Sequence, residues 1–240
     1  MLKRFWPALM GLLLLCSCAT TNTYLTTDAK LARADALYAK GKYSRAADLY
    51  SEVYFERSSA SSAHALLRQA DCYFQINRFS DARTAYQEFI SAFPNNDEIA
   101  TVYFRTALCL YEESRPPEYD QTETMHAIDA FRKFVEKYPN DPRYTQAIEY
   151  IQKCQYKLIE KKYRTGYIYY KMKDYSSALM YFKEITDLGN SDSLDRQSLY
   201  YTALLFHKQK LGDKAQEAYN SLVARYPGSK ESKKLARIFK

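Results

Sequence analysis

The chain has 240 residues, 47% of them hydrophobic and 26% charged, with a formal net charge of +7. Six Gly, seven Pro and no low-complexity tract exclude a disordered or fibrous chain, and 24 Tyr call for a packed interior to hold them. Lys and Arg are interleaved with Asp and Glu, so solvated helix faces account for the charge and no nucleic-acid partner is expected.

The N-terminus differs from the rest. "MLKR" is basic, "FWPALMGLLLLCS" is an apolar run too short for a permanent membrane span, and a polar "TTNTYLTTD" follows. Residues 1–17 therefore read as a signal peptide. Leu15, Cys16, Ser17 and Cys18 resemble a bacterial lipobox, with Cys18 as the acylated residue and residues 18–26 as a lipid-anchored linker. Simple cleavage beside an unmodified cysteine is the alternative. Loss of Lys3 and Arg4 would leave a mature charge of +5.

From residue 27 to 240 the chain repeats itself. In chain order, small residues pair across two apolar helices: Ala34 with Ala46, Ala70 with Ala82, Ala107 with Ala127, Gly166 with Ala178, and Ala203 with Ala215. Each second helix continues its stripe four and seven residues on: Tyr50 and Val53, Tyr86 and Phe89, Phe131 and Phe134, Phe182 and Ile185, Tyr219 and Leu222. Three copies then end on Pro94, Pro139 and Pro227, which cannot continue a helix. This pattern resembles the tetratricopeptide repeat, a helix–turn–helix unit of about 34 residues. The expected fold is all-α: a right-handed superhelix, or solenoid, of five such hairpins with a concave groove lined by first helices.

Two irregularities are expected. The third hairpin carries eight extra residues in the Pro-containing "ESRPPEYDQTETMH", which predicts a loop. The stretch from 143 to 172 lacks Pro and keeps helical spacing through Ala147, Ile151, Cys154, Leu158 and Tyr169, which predicts one long helix shared by two repeats.

No catalytic motif is present. His64, His126 and His207 stand alone, and neither a phosphate-cradling glycine loop nor a CxxC pair exists, so no catalytic residue, metal site or cofactor is expected. Cys72, Cys109 and Cys154 read as small buried residues. The only Trp, Trp6, lies in the signal, leaving the mature chain without one for stacking on sugars. Function must then reside in the groove. Positions one and four after the small residue of the first helices give peptide-groove candidates Asp35, Tyr38, Asp71, Phe74 and Tyr111, where apolar faces beside carboxylates would suit an extended or short helical peptide. The competing role for these residues is packing between hairpins.

The lipobox, the five repeats, the loop "PPEYDQTETMHAIDAF", the following "RKFVEKYPNDPRYTQAI" and "YIYYKMKDYSSALMYF" together resemble the BamD family of outer-membrane protein assembly lipoproteins, over most of residues 25 to 235. Asp120, Gln121, Thr122 and "YPND" are the discriminating pieces. The resemblance implies a non-catalytic scaffold, lipid-anchored in the outer membrane and facing the periplasm. Its implied partners are BamA, other barrel-assembly subunits and unfolded outer-membrane protein segments, with early repeats receiving clients and late repeats docking BamA. A generic envelope scaffold lipoprotein and a glycan-uptake binding lipoprotein are the alternatives.

Overall fold

The computed structural model describes residues 25–56, 59–190 and 192–239; the signal peptide, Cys18 and most of the linker lie outside them. Among the described residues all regular structure is helical: α1 (Thr27–Ala39), α2 (Tyr43–Phe55), α3 (Ser59–Gln75), α4 (Phe79–Ala92), α5 (Ile99–Glu113), α6 (Thr122–Lys137), α7 (Tyr144–Lys171), α8 (Tyr175–Asp187), α9 (Ser193–Lys208), α10 (Gly212–Arg225) and α11 (Lys230–Ala236). Helices α1 to α10 pack chiefly on their neighbours in sequence, as in a solenoid, and α11 packs chiefly on α9. The five expected hairpins are α1–α2, α3–α4, α5–α6, α7–α8 and α9–α10, and α11 covers the last.

Small residues set how closely the helices approach. Ala34, Ala70, Ala107 and Ala203 are fully buried, as are Ala46, Ala82, Ala127 and Ala178 opposite them. At Gly166 a Cβ would stand 3.0 Å from Tyr181 Cβ and 3.1 Å from Phe182 Cε1, so glycine is needed there for close helix approach. The remaining space is filled by Tyr50, Tyr86, Phe89, Phe131, Phe134 and Phe182, all fully buried. Tyr219, at the matching place in the fifth hairpin, is only half-buried, because the seven-residue α11 covers less of it than a full helix would.

Four hairpins share one turn. The N–H of Gly41 donates to Tyr38 O and that of Lys42 to Leu37 O; the same pair of bonds recurs at Asn77 and Arg78, Lys173 and Asp174, and Lys210 and Leu211. This is the Schellman arrangement, in which the residue just past the C-cap is left-handed: φ is 68° at Gly41, 59° at Asn77, 66° at Lys173 and 61° at Lys210. Glycine serves only the first; the other three bear a Cβ in a region that disfavours one.

The proline phrases share a second geometry. Phe93, Tyr138 and Tyr226 precede the prolines and take φ of −132°, −130° and −133° with ψ of 55°, 61° and 66°. Proline bars the α conformation from the residue before it, so each helix stops one residue early and the chain swings to the next hairpin.

Both irregularities are found. Helix α7 runs 28 residues, with its first half against α6 and its second against α8. The third hairpin lacks the Schellman turn, and its loop is gathered instead by Gln121, 5% exposed. The Gln121 Nε2 lies 2.8 Å from Pro116 O, 3.1 Å from Asp120 O and 3.2 Å from both Arg115 O and Tyr119 O, while its Oε1 accepts from Thr124 at 2.7 Å. One face of α7 completes the seam: Lys157 donates to Ser114, Lys161 to Tyr119 O, and Arg164 pairs with Glu118.

Candidate functional site

The candidate residues sit on α1, α3 and α5, and three of them meet through a residue the sequence reading missed. Arg68 holds its guanidinium 5.1 Å from the Tyr38 ring centroid and 3.4 Å from Asp71 Oδ2, and its charge is also felt at Asp35. Asp35 is exposed. Its carboxylate accepts from Tyr50 at 2.6 Å and lies 3.1 Å from His64 Nε2. Desolvation pushes its pKa up, but the Tyr50 and His64 hydrogen bonds outweigh that and leave it below the usual carboxylate value.

Asp71 departs from the expected role. It is 3% exposed and fully occupied: Tyr86 donates to it at 2.7 Å, and the Arg105 guanidinium pairs with it directly. A carboxylate so enclosed cannot receive a ligand, so what meets solvent above it is cationic, from Arg68 and Arg105. The signal for these arginines was available: each stands two residues before the small residue of its helix, Ala70 or Ala107, and about one repeat after an aspartate. Burial and the Asp71 hydrogen bond push the Tyr86 hydroxyl well above the usual tyrosine range, so it stays a donor.

Tyr38 is half-buried and edge-on to Tyr43 at 5.3 Å; desolvation, with the Asp71 charge second, raises its pKa. Phe74 repeats the arrangement one hairpin on, edge-on to Phe79 at 5.2 Å. Tyr111 belongs to a separate cluster, 4.7 Å from Tyr150 and under the ammonium of Lys157.

In the fourth and fifth hairpins the same positions change chemistry. Tyr167 and Tyr170 follow Gly166 as Asp35 and Tyr38 follow Ala34, and both rings meet Tyr201, at 5.6 and 4.9 Å. Tyr201 precedes Ala203 by two residues, the place of Arg68 and Arg105. It stacks on Phe182 at 5.3 Å and 16°, while Tyr163 donates to Gln197 at 2.9 Å.

Among the described residues no three His, Cys, Asp or Glu side chains gather as metal ligands, and no helix is long and apolar enough to cross a membrane. Cys72, Cys109 and Cys154 are fully buried, and burial pushes the thiols of Cys72 and Cys109 up to about 12, which leaves them unreactive.

The repeated hairpin, its small-residue contacts and its shared turn define a tetratricopeptide-repeat solenoid. Family models described as tetratricopeptide repeat match residues 31–97 and 67–142, and again 162–188 and 197–229. The longest internal stretch they leave out, 143–161, contains the first half of α7. Among curated proteins, the outer membrane protein assembly factor BamD of Rickettsia prowazekii is 26% identical over 192 residues, covering 80% of this chain and 76% of the relative. BamD of Caulobacter vibrioides is 24% identical over 192 residues, again 80% of this chain, which spans 63% of that relative's length. Of solved structures, MamA is similar with TM-score 0.38 and 15% identity over 83% of this chain and 91% of its own, and Pseudomonas aeruginosa PilF with 0.38 and 17% over 89% and 82%. This chain is a BamD-like tetratricopeptide-repeat protein.

Proposed function

We propose that the protein is a non-catalytic scaffold of outer-membrane protein assembly, lipid-anchored through Cys18, facing the periplasm and docked on BamA. The observation that carries this reading is the extent of the sequence likeness to BamD: 192 aligned residues make up 80% of this chain, too many to lie within one or two hairpins. Joined hairpins present a continuous face, and the Tyr38, Arg68, Arg105 and Phe74 row offers donors and aromatic edges to an extended client segment, whose unpaired strand edges would otherwise aggregate. Holding that client beside the barrel-inserting partner raises its effective concentration there. The test is affinity capture of the tagged protein from detergent-solubilised membranes. Recovery of BamA supports the scaffold, and reproducible absence of every barrel-assembly subunit rejects it. For the client face, Tyr38→Ala with Phe74→Ala should weaken binding of client peptides while the fold persists.

A further inference from the structure

Positive charge is unevenly spread. Residues 205–240 hold nine Lys and Arg against three Asp and Glu, whereas residues 25–56 hold five of each. Much of the excess lies on α11 and its C-cap, where Lys230, Lys233, Lys234 and Arg237 follow at i, i+3, i+4 and i+7 and so form one stripe, all exposed, opposite the buried Ser232 and Leu235. The four line a single cleft of about 540 Å³. Helix stability does not account for the whole stripe: the dipole favours Lys233, Lys234 and Arg237 at the C-terminal end, but it opposes Lys230 in the first turn, and like charges three and four residues apart repel. Nor does pairing explain it. Glu231, the only carboxylate on α11, is taken by Arg196 at 3.0 Å, and among the described residues no carboxylate forms an ion pair with any of the four cations.

Apolar groups stand beside them. Ile238 is 37% exposed and shares a second cleft with His207 of α9 and Gly212 of α10, and Leu211, next to Gly212 and following the exposed Lys208 and Lys210, is 41% exposed. Cations around a few protruding aliphatic side chains match a bilayer interface, where phosphates meet the ammonium groups and the aliphatics enter the acyl boundary. An acidic protein segment would satisfy the charge but gives no role to the paired aliphatics. We propose that this end of the solenoid docks on the surface of an anionic phospholipid bilayer, through Lys230, Lys233, Lys234 and Arg237 with Ile238 and Leu211 inserted. The contact is independent of the scaffold reading, since it requires neither a client nor BamA.

The test is co-sedimentation of the chain from residue 25, which retains all five hairpins and carries no leader or acyl group. Vesicles of phosphatidylcholine alone are compared with vesicles containing phosphatidylglycerol, at low and at physiological salt. Binding should require phosphatidylglycerol and fall with salt. Lys230→Gln, Lys233→Gln and Arg237→Gln together, with Lys234 kept because it lies over the Tyr200 ring, should weaken it about 100-fold, or about five-fold per cation. If that variant fails to fold, Lys230→Gln with Arg237→Gln should weaken binding about 25-fold by the same rule. Equal binding to neutral vesicles, or a folded charge variant that binds like wild type, overturns the proposal. So does binding to polyglutamate without binding to vesicles, which would assign the patch to an acidic protein.

Discussion

The joints between hairpins follow one geometry and two chemistries. Between the second and third hairpins, the position after Ala70 and the position two before Ala107 hold a carboxylate and a guanidinium, Asp71 and Arg105. Between the fourth and fifth, the same positions hold Tyr167 and Tyr201 in ring contact at 5.6 Å. The solenoid requires only that something fill the gap and satisfy itself there. An ion pair does so with direction but leaves either partner costly if the other is lost, whereas rings do so with dispersion and area, which fail gradually.

Breaking the charged joint should have the largest effect. Arg105→Met leaves a buried aspartate short of its main partner and should cost about 3 kcal/mol in denaturant unfolding, similar to the about 3 to 5 kcal/mol expected for Phe134→Ala in the fully buried core. Adding Asp71→Leu and Tyr86→Phe to Arg105→Met should recover most of that loss, since an apolar set of similar size can replace a buried ion pair once the Tyr86 hydroxyl that donates to Asp71 is removed with it. If the triple variant is no more stable than Arg105→Met, the charged joint is not replaceable by packing and the comparison fails. At the tyrosine joint, Tyr201→Phe should change stability by less than about 0.5 kcal/mol, because its ring does the packing.

The turns offer a milder contrast between the same regions. Gly41 occupies the left-handed position in the first hairpin, and lysines occupy it at 173 and 210. Lys173→Gly and Lys210→Gly should each raise unfolding free energy by about 0.5 to 1 kcal/mol, as relief of the Cβ clash exceeds the entropy glycine adds to the unfolded chain. A loss at both sites would show that the lysine side chains are held by something else.

The smallest effect is in pH. Asp35 has its folded pKa held below the unfolded value, so its contribution is present above that unfolded value and disappears as pH falls through the folded one. The penalty of Asp35→Asn, below about 1 kcal/mol for so exposed a group, should therefore shrink on acidification. Asp195 in the last hairpin behaves oppositely. Desolvation raises its pKa despite hydrogen bonds from Tyr226 at 2.6 Å and Arg225 at 3.0 Å, so the native state gains stability as pH falls from the folded value toward the unfolded one. Unfolding of wild type, Asp35→Asn and Asp195→Asn at neutral and acidic pH should show the two trends with opposite sign.

What could be read from the sequence was whatever recurs at a fixed offset. Ala34, Ala70, Ala107, Gly166 and Ala203 marked the first helices, and the absence of Pro between 143 and 172 marked α7. Features that depend on separation in space were not legible. Asp71 read as a surface carboxylate because its two arginines lie on either side of it in the chain, Arg105 a full repeat away. Lys173 and Lys210 gave no sign of left-handed backbone, since only the surrounding helices impose it. Tyr219 shares Tyr50's place in the repeat, and its half-burial follows from how short α11 is.

Helix α7 also has a mechanical consequence. At 28 residues it is about 42 Å long, and its first half belongs to the ion-paired region while its second half belongs to the tyrosine region. A continuous backbone ladder bridges the two without a hinge, and Lys157, Lys161 and Arg164 brace it laterally against the loop at 114–121. It works as a strut, so a push delivered at one set of hairpins arrives at the other as displacement instead of being absorbed between them.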